Sequence, residues 1–262
     1  MSSRQNHNDL PEEKSPDPGN VERRDEVAIT TRDKHPAPAV KSIIMSPIKG
    51  SRINTDMIKF DYYNSFNYSP MTHGKDNVSL TLGITSVNAG EGKTTTASNL
   101  AVSLTYGSRK RTVLVDLNFN NPQLHKIFGL NRGPGLYEAI HGHSINIFPT
   151  SIENLCVVTA GLTSVRRKNM PEPPDAPVGV EHTMTFGDVI YSLEQEFDFV
   201  IVDMPAMKAR EFPILFVNYF DGVLVVIETG KTKRQDIDKV FQQLNKNQVL
   251  GFVFNRVKDE NE

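Results

Sequence analysis

A glycine-rich turn between an apolar stretch and a helix-forming stretch constrains this chain more than any other feature. Between residues 80–85 and 96–104 lies the run Gly90-Glu91-Gly92-Lys93-Thr94-Thr95. Glycines let backbone N–H groups turn toward a phosphate, and the helix N-terminus adds partial positive charge at the same point. We therefore predict a phosphate-binding loop in which this run contacts a nucleoside triphosphate.

Two residues of the loop have side chains that bind the phosphates or the metal ion in phosphate loops. Lys93 would reach the β- and γ-phosphates, and the Thr94 hydroxyl would help to hold Mg²⁺. The loop is a variant of the usual Gly-x-x-x-x-Gly-Lys-Thr pattern, because Val87 stands at the position of the first glycine. The prediction of nucleotide binding therefore needs support from other parts of the chain.

Two further apolar runs end in a carboxylate and supply that support. Thr112–Asp116 and Phe199–Asp203 both read as strands followed by an acidic residue. An acidic side chain at the carboxyl end of a strand beside a phosphate loop orients Mg²⁺, directly or through water, or orients a nucleophile. We predict Asp116 and Asp203 as metal ligands together with Thr94, and as catalytic residues together with Lys93.

Apolar runs and helical patterns alternate along the rest of the chain. Because most of the apolar runs are continuous, they are typical of strands covered on both faces. We predict an α/β fold, a doubly wound and mostly parallel sheet with the phosphate loop in a three-layer αβα arrangement. The predicted strands are 80–85, 112–116, 155–159, 199–203, 222–227 and 250–254, and the predicted helices are 94–106, 183–195 and 233–245.

Composition divides the chain into three parts. Residues 1–45 are polar and nearly free of aromatics, so we expect a disordered tail. Residues 46–78 contain an aromatic cluster at 60–68, and we expect a linker or docking segment there, before an ATPase domain at 79–262. The net charge of −2 gives no sign of a nucleic-acid partner. No apolar run approaches the roughly 20 residues that span a bilayer, so we expect a cytoplasmic protein.

Several motifs fall in the order and spacing of one known family. The strand-end segment at 116–125 continues into Phe128-Gly129-Leu130, Asp203-Met204-Pro205 follows a later strand, and Phe254-Asn255-Arg256-Val257 closes the last one. With these motifs, residues 79 to 257 resemble the bacterial tyrosine kinases (BY-kinases) of capsule and exopolysaccharide systems, which lie within the wider MinD/ParA group.

The resemblance implies cofactors, binding residues and partners. It implies ATP and Mg²⁺ as cofactors, and it adds Asn255 and Arg256 to the nucleotide-binding set as neighbours of the base. It implies phosphoryl transfer, with Asp116 activating the attacking hydroxyl or water. It also implies a membrane-embedded polysaccharide chain-length or export protein as partner, recruitment to the inner face of the membrane, and a homo-oligomer.

The sequence departs from the family at points that keep three functions open. Asn118 replaces the second acid of the Asp-x-Asp motif, and the last tyrosine is Tyr219, so the tyrosine-rich C-terminal cluster is missing. Asn88 stands where MinD and ParA proteins carry a signature lysine. The leading hypothesis is an ATP-binding regulator of polysaccharide synthesis or export, with ATPase or weak tyrosine autokinase activity. The alternatives are a MinD/ParA-like positioning ATPase and a nucleotide-binding pseudokinase adaptor.

Overall fold

The computed structural model describes residues 43–45, 79–161, 178–209, 214–244 and 248–257. Within these ranges the chain alternates strands with helices, as the apolar pattern predicts. In chain order the strands are β1 (Ile43–Met45), β2 (Leu80–Ser86), β3 (Thr112–Asp116), β4 (Ile145–Pro149), β5 (Leu155–Val158), β6 (Phe199–Asp203), β7 (Gly222–Glu228) and β8 (Val249–Asn255).

Helices connect most of these strands and lie on both faces of the sheet. Two short 3₁₀ helices, Val180–His182 and Ile214–Tyr219, complete the described elements. The α-helices are α1 (Lys93–Ser108), α2 (Leu124–Ile127), α3 (Leu136–Ile140), α4 (Thr183–Glu196) and α5 (Arg234–Gln243).

The strands form one sheet in the order β1-β4-β5-β3-β6-β2-β7-β8. All pairings are parallel except that of β4 with β5. Every residue of β2, β3, β6 and β7 is buried. Helices on both faces of a parallel sheet bury its strands along their whole length, which accounts for the mostly apolar sequences of β3, β6 and β7.

Alternate residues of the strands feed two separate cores. On one face, Leu100 of α1 packs in a cluster with Leu82 and Leu114 of the sheet. On the other face, α4 brings Phe186 into a cluster with Val113. The side chains of successive strand residues point to opposite faces, so one apolar strand serves both cores. The predicted doubly wound, three-layer αβα fold is confirmed.

The six predicted strands and three predicted helices all exist, with ends that differ from the predicted ones by at most two residues. Sequence reasoning missed β4 and the short helices α2 and α3. It also placed Ile43–Met45 in the tail expected to be disordered, whereas these residues pair with Ile145–Ile147 of β4. The rest of the tail, the aromatic cluster at 60–68 and the rest of the segment before residue 79 lie outside the described residues. Among the described helices, none is long and apolar enough to cross a membrane.

Candidate nucleotide-binding site

The phosphate loop connects the end of β2 to the start of α1, in the middle of the sheet. Gly90 and Gly92 have φ angles of +84° and +97°, a left-handed region that glycine adopts without strain. Helix α1 begins at Lys93 directly after the second of these glycines, so its first turn holds Thr94 and Thr95. The loop thereby brings the helix N-terminus to the carboxyl end of a central strand, which is an anion-binding arrangement.

The position of the missing first glycine is filled by a core residue. Val87 is fully buried and packs in the core on the α4 face of the sheet. Ser86, the last residue of β2, donates its hydroxyl to the carbonyl of Asn88 at 2.7 Å. The loop therefore leaves the sheet at a buried apolar residue, and its glycines lie only in the part nearest the helix, at Gly90 and Gly92.

Glu91 turns its side chain back onto protein groups. Its carboxylate accepts the backbone N–H of Asn88 at 2.9 Å and the side-chain amide of Asn88 at 2.7 Å. The hydroxyl of Thr232, in the turn after β7, donates to the same carboxylate at 2.6 Å. Glu91 is only 3% exposed, and hydrogen bonds satisfy its charge. The sequence placed Glu91 in the loop but missed Thr232 and this internal role.

Asn255, predicted to lie near the base, sits directly against the loop. Its side-chain amide donates to the carbonyl of Glu91 at 2.9 Å. A Cβ atom on Gly92 would lie 2.2 Å from the same amide nitrogen, so the close approach needs a glycine. The structure thus brings Asn255 and the loop together at the carboxyl ends of β8 and β2.

Arg256 lies at the rim, where it pairs with a carboxylate that sequence reasoning missed. Its guanidinium donates to Glu228 at 2.8 Å, and Lys231 pairs with the other oxygen of that carboxylate at 2.5 Å. Hydrogen bonds from Lys231 and Arg256 lower the pKa of Glu228. Both cations are more than half exposed, which makes this cluster a solvated rim beside the loop.

The two predicted acids are neighbours on adjacent strands. Asp116 and Asp203 are register partners across the β3–β6 pair, and both are fully buried. Asp116 accepts three backbone N–H groups, from Asn118, Gln123 and Leu124, each at 3.1 Å. Burial raises the pKa of Asp116, while these three donors and the charge of Lys93 act in the opposite direction. The turn after β3 therefore fixes the orientation of this carboxylate.

Asp203 differs because neither of its oxygens has a hydrogen-bond partner in the described part of the chain. Burial raises its pKa, the nearby charge of Asp116 raises it further, and Lys93 lowers it. The Thr94 hydroxyl is close enough to lower the pKa as well, but it lies outside hydrogen-bonding geometry. A buried carboxylate without hydrogen-bond donors is costly, since burial removes its water and no hydrogen bond replaces it.

These residues fit a Mg²⁺ ion bound together with a nucleotide. Mg²⁺ usually takes one or two carboxylates and fills its remaining positions with phosphate oxygens and water. Asp203 offers unsatisfied oxygens next to Asp116 and the Thr94 hydroxyl. No group of three or more His, Cys, Asp or Glu side chains able to hold a metal occurs within the described ranges. The donor set therefore suits a cation that arrives with phosphates better than a cation held by protein alone.

Comparisons with known proteins point to nucleotide-binding relatives. The family model for the CobQ/CobB/MinD/ParA nucleotide binding domain (CbiA) matches residues 82–262. The chain is 31% identical over 203 residues to the tyrosine-protein kinase CpsD of Streptococcus pneumoniae serotype 4, covering 75% of this chain and 84% of CpsD. It is 28% identical over 191 residues to the succinoglycan biosynthesis transport protein ExoP of Rhizobium meliloti, covering 70% of this chain and 23% of ExoP.

Solved structures share the fold. The crystal structure of the chimerical protein CapA2B2 has a TM-score of 0.62 at 26% identity, covering 75% of this chain and 84% of that chain. The septum site-determining protein MinD of Pyrococcus horikoshii, complexed with Mg-ADP, has a TM-score of 0.51 at 22% identity. That likeness covers 67% of this chain and 69% of the MinD chain.

Proposed function

Since the chain belongs to the bacterial tyrosine kinase family, within the CobQ/CobB/MinD/ParA nucleotide-binding proteins, we propose that it binds Mg-ATP and regulates polysaccharide synthesis or export. The observation that carries the nucleotide part is that Lys93, at the start of α1, lies near Asp203, whose carboxylate has no hydrogen-bond partner among the described residues. One side of this site suits phosphate and the other suits a cation. The family's place in capsule and exopolysaccharide systems supports the regulatory part.

The residues of the site divide the work of phosphoryl transfer. Lys93 and the N-terminal amides of α1 bind the phosphates and stabilise the charge that develops on the γ-phosphoryl oxygens. Thr94, Asp116 and Asp203 would hold Mg²⁺, which supplies further positive charge to the phosphates. The attacking oxygen forms a bond to the γ-phosphorus while the bond to the β–γ bridging oxygen breaks, and ADP leaves with that electron pair. Asp116 accepts the proton of the attacking group, since burial makes it a stronger base than a free carboxylate.

The attacking group is either water, which gives an ATPase, or a tyrosine, which gives an autokinase. Tyr106 of α1 is 61% exposed and is the described tyrosine with the highest accessibility. Tyr62, Tyr63 and Tyr68 lie outside the described residues. Label found on one of these tyrosines would identify the acceptor, and free phosphate alone would identify water.

The proposed partner is a membrane-embedded polysaccharide chain-length or export protein, which would hold this chain at the inner face of the membrane. ExoP supports this, because it is named a succinoglycan biosynthesis transport protein. The chain matches 23% of ExoP, so ExoP contains a large part that this chain does not match. The chain would act from the cytoplasm and assemble as a homo-oligomer.

Incubation of the purified full chain with Mg²⁺ and γ-labelled ATP tests the enzymatic part. We expect free phosphate or labelled tyrosine, and a loss of at least about a hundredfold in Lys93→Met, because the γ-phosphoryl charge loses its cation. Lys110→Met is the matched control, since Lys110 is half exposed in the turn before β3. Equal turnover in wild type and Lys93→Met would refute phosphoryl transfer at this site. Neither product from wild type, with ATP still retained on a filter, would favour the pseudokinase adaptor.

A MinD/ParA-like positioning ATPase is the second candidate, supported by the shared fold of MinD. The position of the signature lysine argues against it, since Asn88 is shorter and bound by Glu91 within its own chain. Co-purification tests the choice. Recovery with a membrane polysaccharide protein supports the regulator, whereas ATP-dependent recovery with DNA or bare lipid vesicles supports the positioning ATPase.

A further inference from the structure

We propose that Thr232 is a positioning residue that, through Glu91, holds the phosphate loop in its ligand-ready shape before a nucleotide arrives. This inference rests on the proposed nucleotide binding and adds a residue 141 positions along the chain from the loop residue that it contacts. Thr232 lies in the turn between β7 and α5, beside the loop but outside the predicted binding set.

The hydroxyl of Thr232 is fixed from both sides. The backbone N–H of Glu228, the last residue of β7, donates to the hydroxyl oxygen at 3.1 Å. The single hydroxyl hydrogen is directed to the Glu91 carboxylate, where the oxygens lie 2.6 Å apart. Because β7 is a buried strand paired with β2, the hydroxyl is anchored to the rigid sheet.

Glu91 connects the Thr232 hydroxyl to the phosphate loop at two points, Asn88 and its own backbone carbonyl. Its carboxylate holds the backbone N–H and the side-chain amide of Asn88, three residues earlier. Asn255 binds the carbonyl of the same glutamate from β8. The contacts close the backbone from Asn88 to Glu91 into one turn, and they fix it against two neighbouring strands. The shape of this turn decides where the loop's free N–H groups point.

Removal of the hydroxyl acts on nucleotide affinity for two reasons. A Glu91 oxygen would lose a charge-assisted donor while buried, so the side chain would rearrange and release Asn88. A freed carboxylate beside the loop would also repel the triphosphate. Ordering the loop again would cost free energy at the moment of binding. The hydrogen bonds of Thr232 reach Glu91 and Glu228, not Lys93, Asp116 or Asp203, so the transfer step itself should change little.

A purely structural role would give a different pattern. Thr232 lies just before Lys233, the N-cap residue of α5, and an ordinary helix-start threonine would contribute only to stability. Loss of such a role lowers the unfolding temperature and leaves the affinity of the folded protein for ATP unchanged. A positioning role would change the affinity for ATP and the hydrogen exchange of the Asn88 amide. A purely structural role would change only the unfolding temperature.

The test compares Thr232→Val, which has the same shape without the hydroxyl, with Thr232→Ser, which keeps the hydroxyl. Thr183→Val is the matched control, because the Thr183 hydroxyl donates to a backbone carbonyl at the start of α4. Hydrogen exchange of the Asn88 amide is measured in the nucleotide-free full chain, and ATP affinity is measured with Mg²⁺. We expect Thr232→Val to speed exchange and to raise the Kd for ATP about tenfold with little change in kcat. Thr232→Ser should stay near wild type, and Thr183→Val should change neither quantity.

Unchanged Asn88 exchange in a folded Thr232→Val protein would overturn the proposal, as would faster exchange with wild-type affinity in a protein that binds ATP. If Thr232→Val fails to fold, Glu91→Gln takes its place, since the amide keeps one acceptor oxygen and should give an intermediate acceleration of exchange. A wild-type chain that retains no ATP would refute the proposed function, and the exchange measurement alone would still decide whether Thr232 holds the loop.

Discussion

The two sides of the phosphate loop treat buried charge in opposite ways. On the anchor side, formed by Glu91, Thr232 and Asn255, the buried Glu91 carboxylate accepts hydrogen bonds from Asn88 and Thr232, and Asn255 donates to the Glu91 backbone carbonyl. The metal side, formed by Thr94, Asp116 and Asp203, buries two carboxylates next to each other, and no described residue donates a hydrogen bond to Asp203. The two sides differ in hydrogen bonding, although each buries carboxylate side chains beside the phosphate loop.

The difference indicates which part of the site is complete and which part awaits a ligand. A buried polar group that the protein satisfies itself stabilises the fold and fixes local geometry. A buried carboxylate left unsatisfied costs about 1–3 kcal/mol or more, and a cation would recover that cost. We infer that the anchor side shapes the loop, and that the metal side is finished only when Mg²⁺ enters with the nucleotide.

The largest effect on stability is expected for Asp203→Asn in the nucleotide-free protein. The folded-state pKa of Asp203 is raised above its ordinary value of 3.8, mainly by burial and then by Asp116. The folded form therefore holds its proton more tightly than the unfolded form, and wild-type stability falls as pH rises above about 4. The amide stays neutral, so the variant should gain about 1–3 kcal/mol over wild type at pH 8 and less at pH 5.

Urea unfolding at the two pH values, without Mg²⁺ or nucleotide, measures this gain. The control is Asp238→Asn, the same change at an exposed position of α5, which should leave the pH dependence unchanged. A variant that is less stable than wild type at pH 8 would show that Asp203 is satisfied in the free protein, and the contrast between the two sides would fail.

A smaller effect, a loss of stability, is expected for Gly92→Ala, which tests the anchor side. The alanine would adopt φ +97° at a cost of about 1 kcal/mol, and its Cβ would displace the Asn255 amide from the Glu91 carbonyl. Gly90→Ala is a close control, because it has a similar φ of +84° with open space around the added atom. Thermal unfolding should drop further for Gly92→Ala than for Gly90→Ala. Equal drops would mean that the contact with Asn255 contributes nothing.

The smallest effect is expected at the rim. Lys231 is 73% exposed, and its partner Glu228 keeps the guanidinium of Arg256. Because the Lys231 ammonium is exposed to water and Arg256 stays on the Glu228 carboxylate, Lys231→Gln should change ATP affinity by less than about twofold. Titration calorimetry at low and moderate salt measures it. A tenfold loss of ATP affinity would show that the rim is part of the binding site, in addition to the anchor side and the metal side.

The strands that could be predicted are those with a recognisable local pattern in the sequence. The strands β3, β6 and β7 are mostly apolar runs, as expected of strands covered on both faces, and β2 leads directly into the glycine-rich loop. The strands β1 and β4 are different, since β1 pairs with a strand far along the chain and β4 pairs with β5 across a short turn. β4 ends in a proline and pairs in the antiparallel direction, and β1 is three residues long.

The site shows the same division between local and distant information. Lys93, Asp116 and Asp203 follow from motifs, because a strand followed by a loop is visible in the sequence. The contact of Thr232 with Glu91 joins residues 141 positions apart, so it requires the strand order that sets β7 beside β2. The lack of a donor to Asp203 among the described residues also could not be predicted, since a carboxylate at a strand end has the same sequence pattern whether or not a donor faces it.

We expect Mg²⁺ that arrives with ATP to complete the metal side. The most direct test is the affinity of the full chain for ATP, measured by calorimetry with and without Mg²⁺, in wild type and in Asp203→Asn. We predict that Mg²⁺ tightens ATP binding to wild type and that Asp203→Asn, while still folded, loses most of this gain. An identical gain from Mg²⁺ in the two proteins would contradict the account.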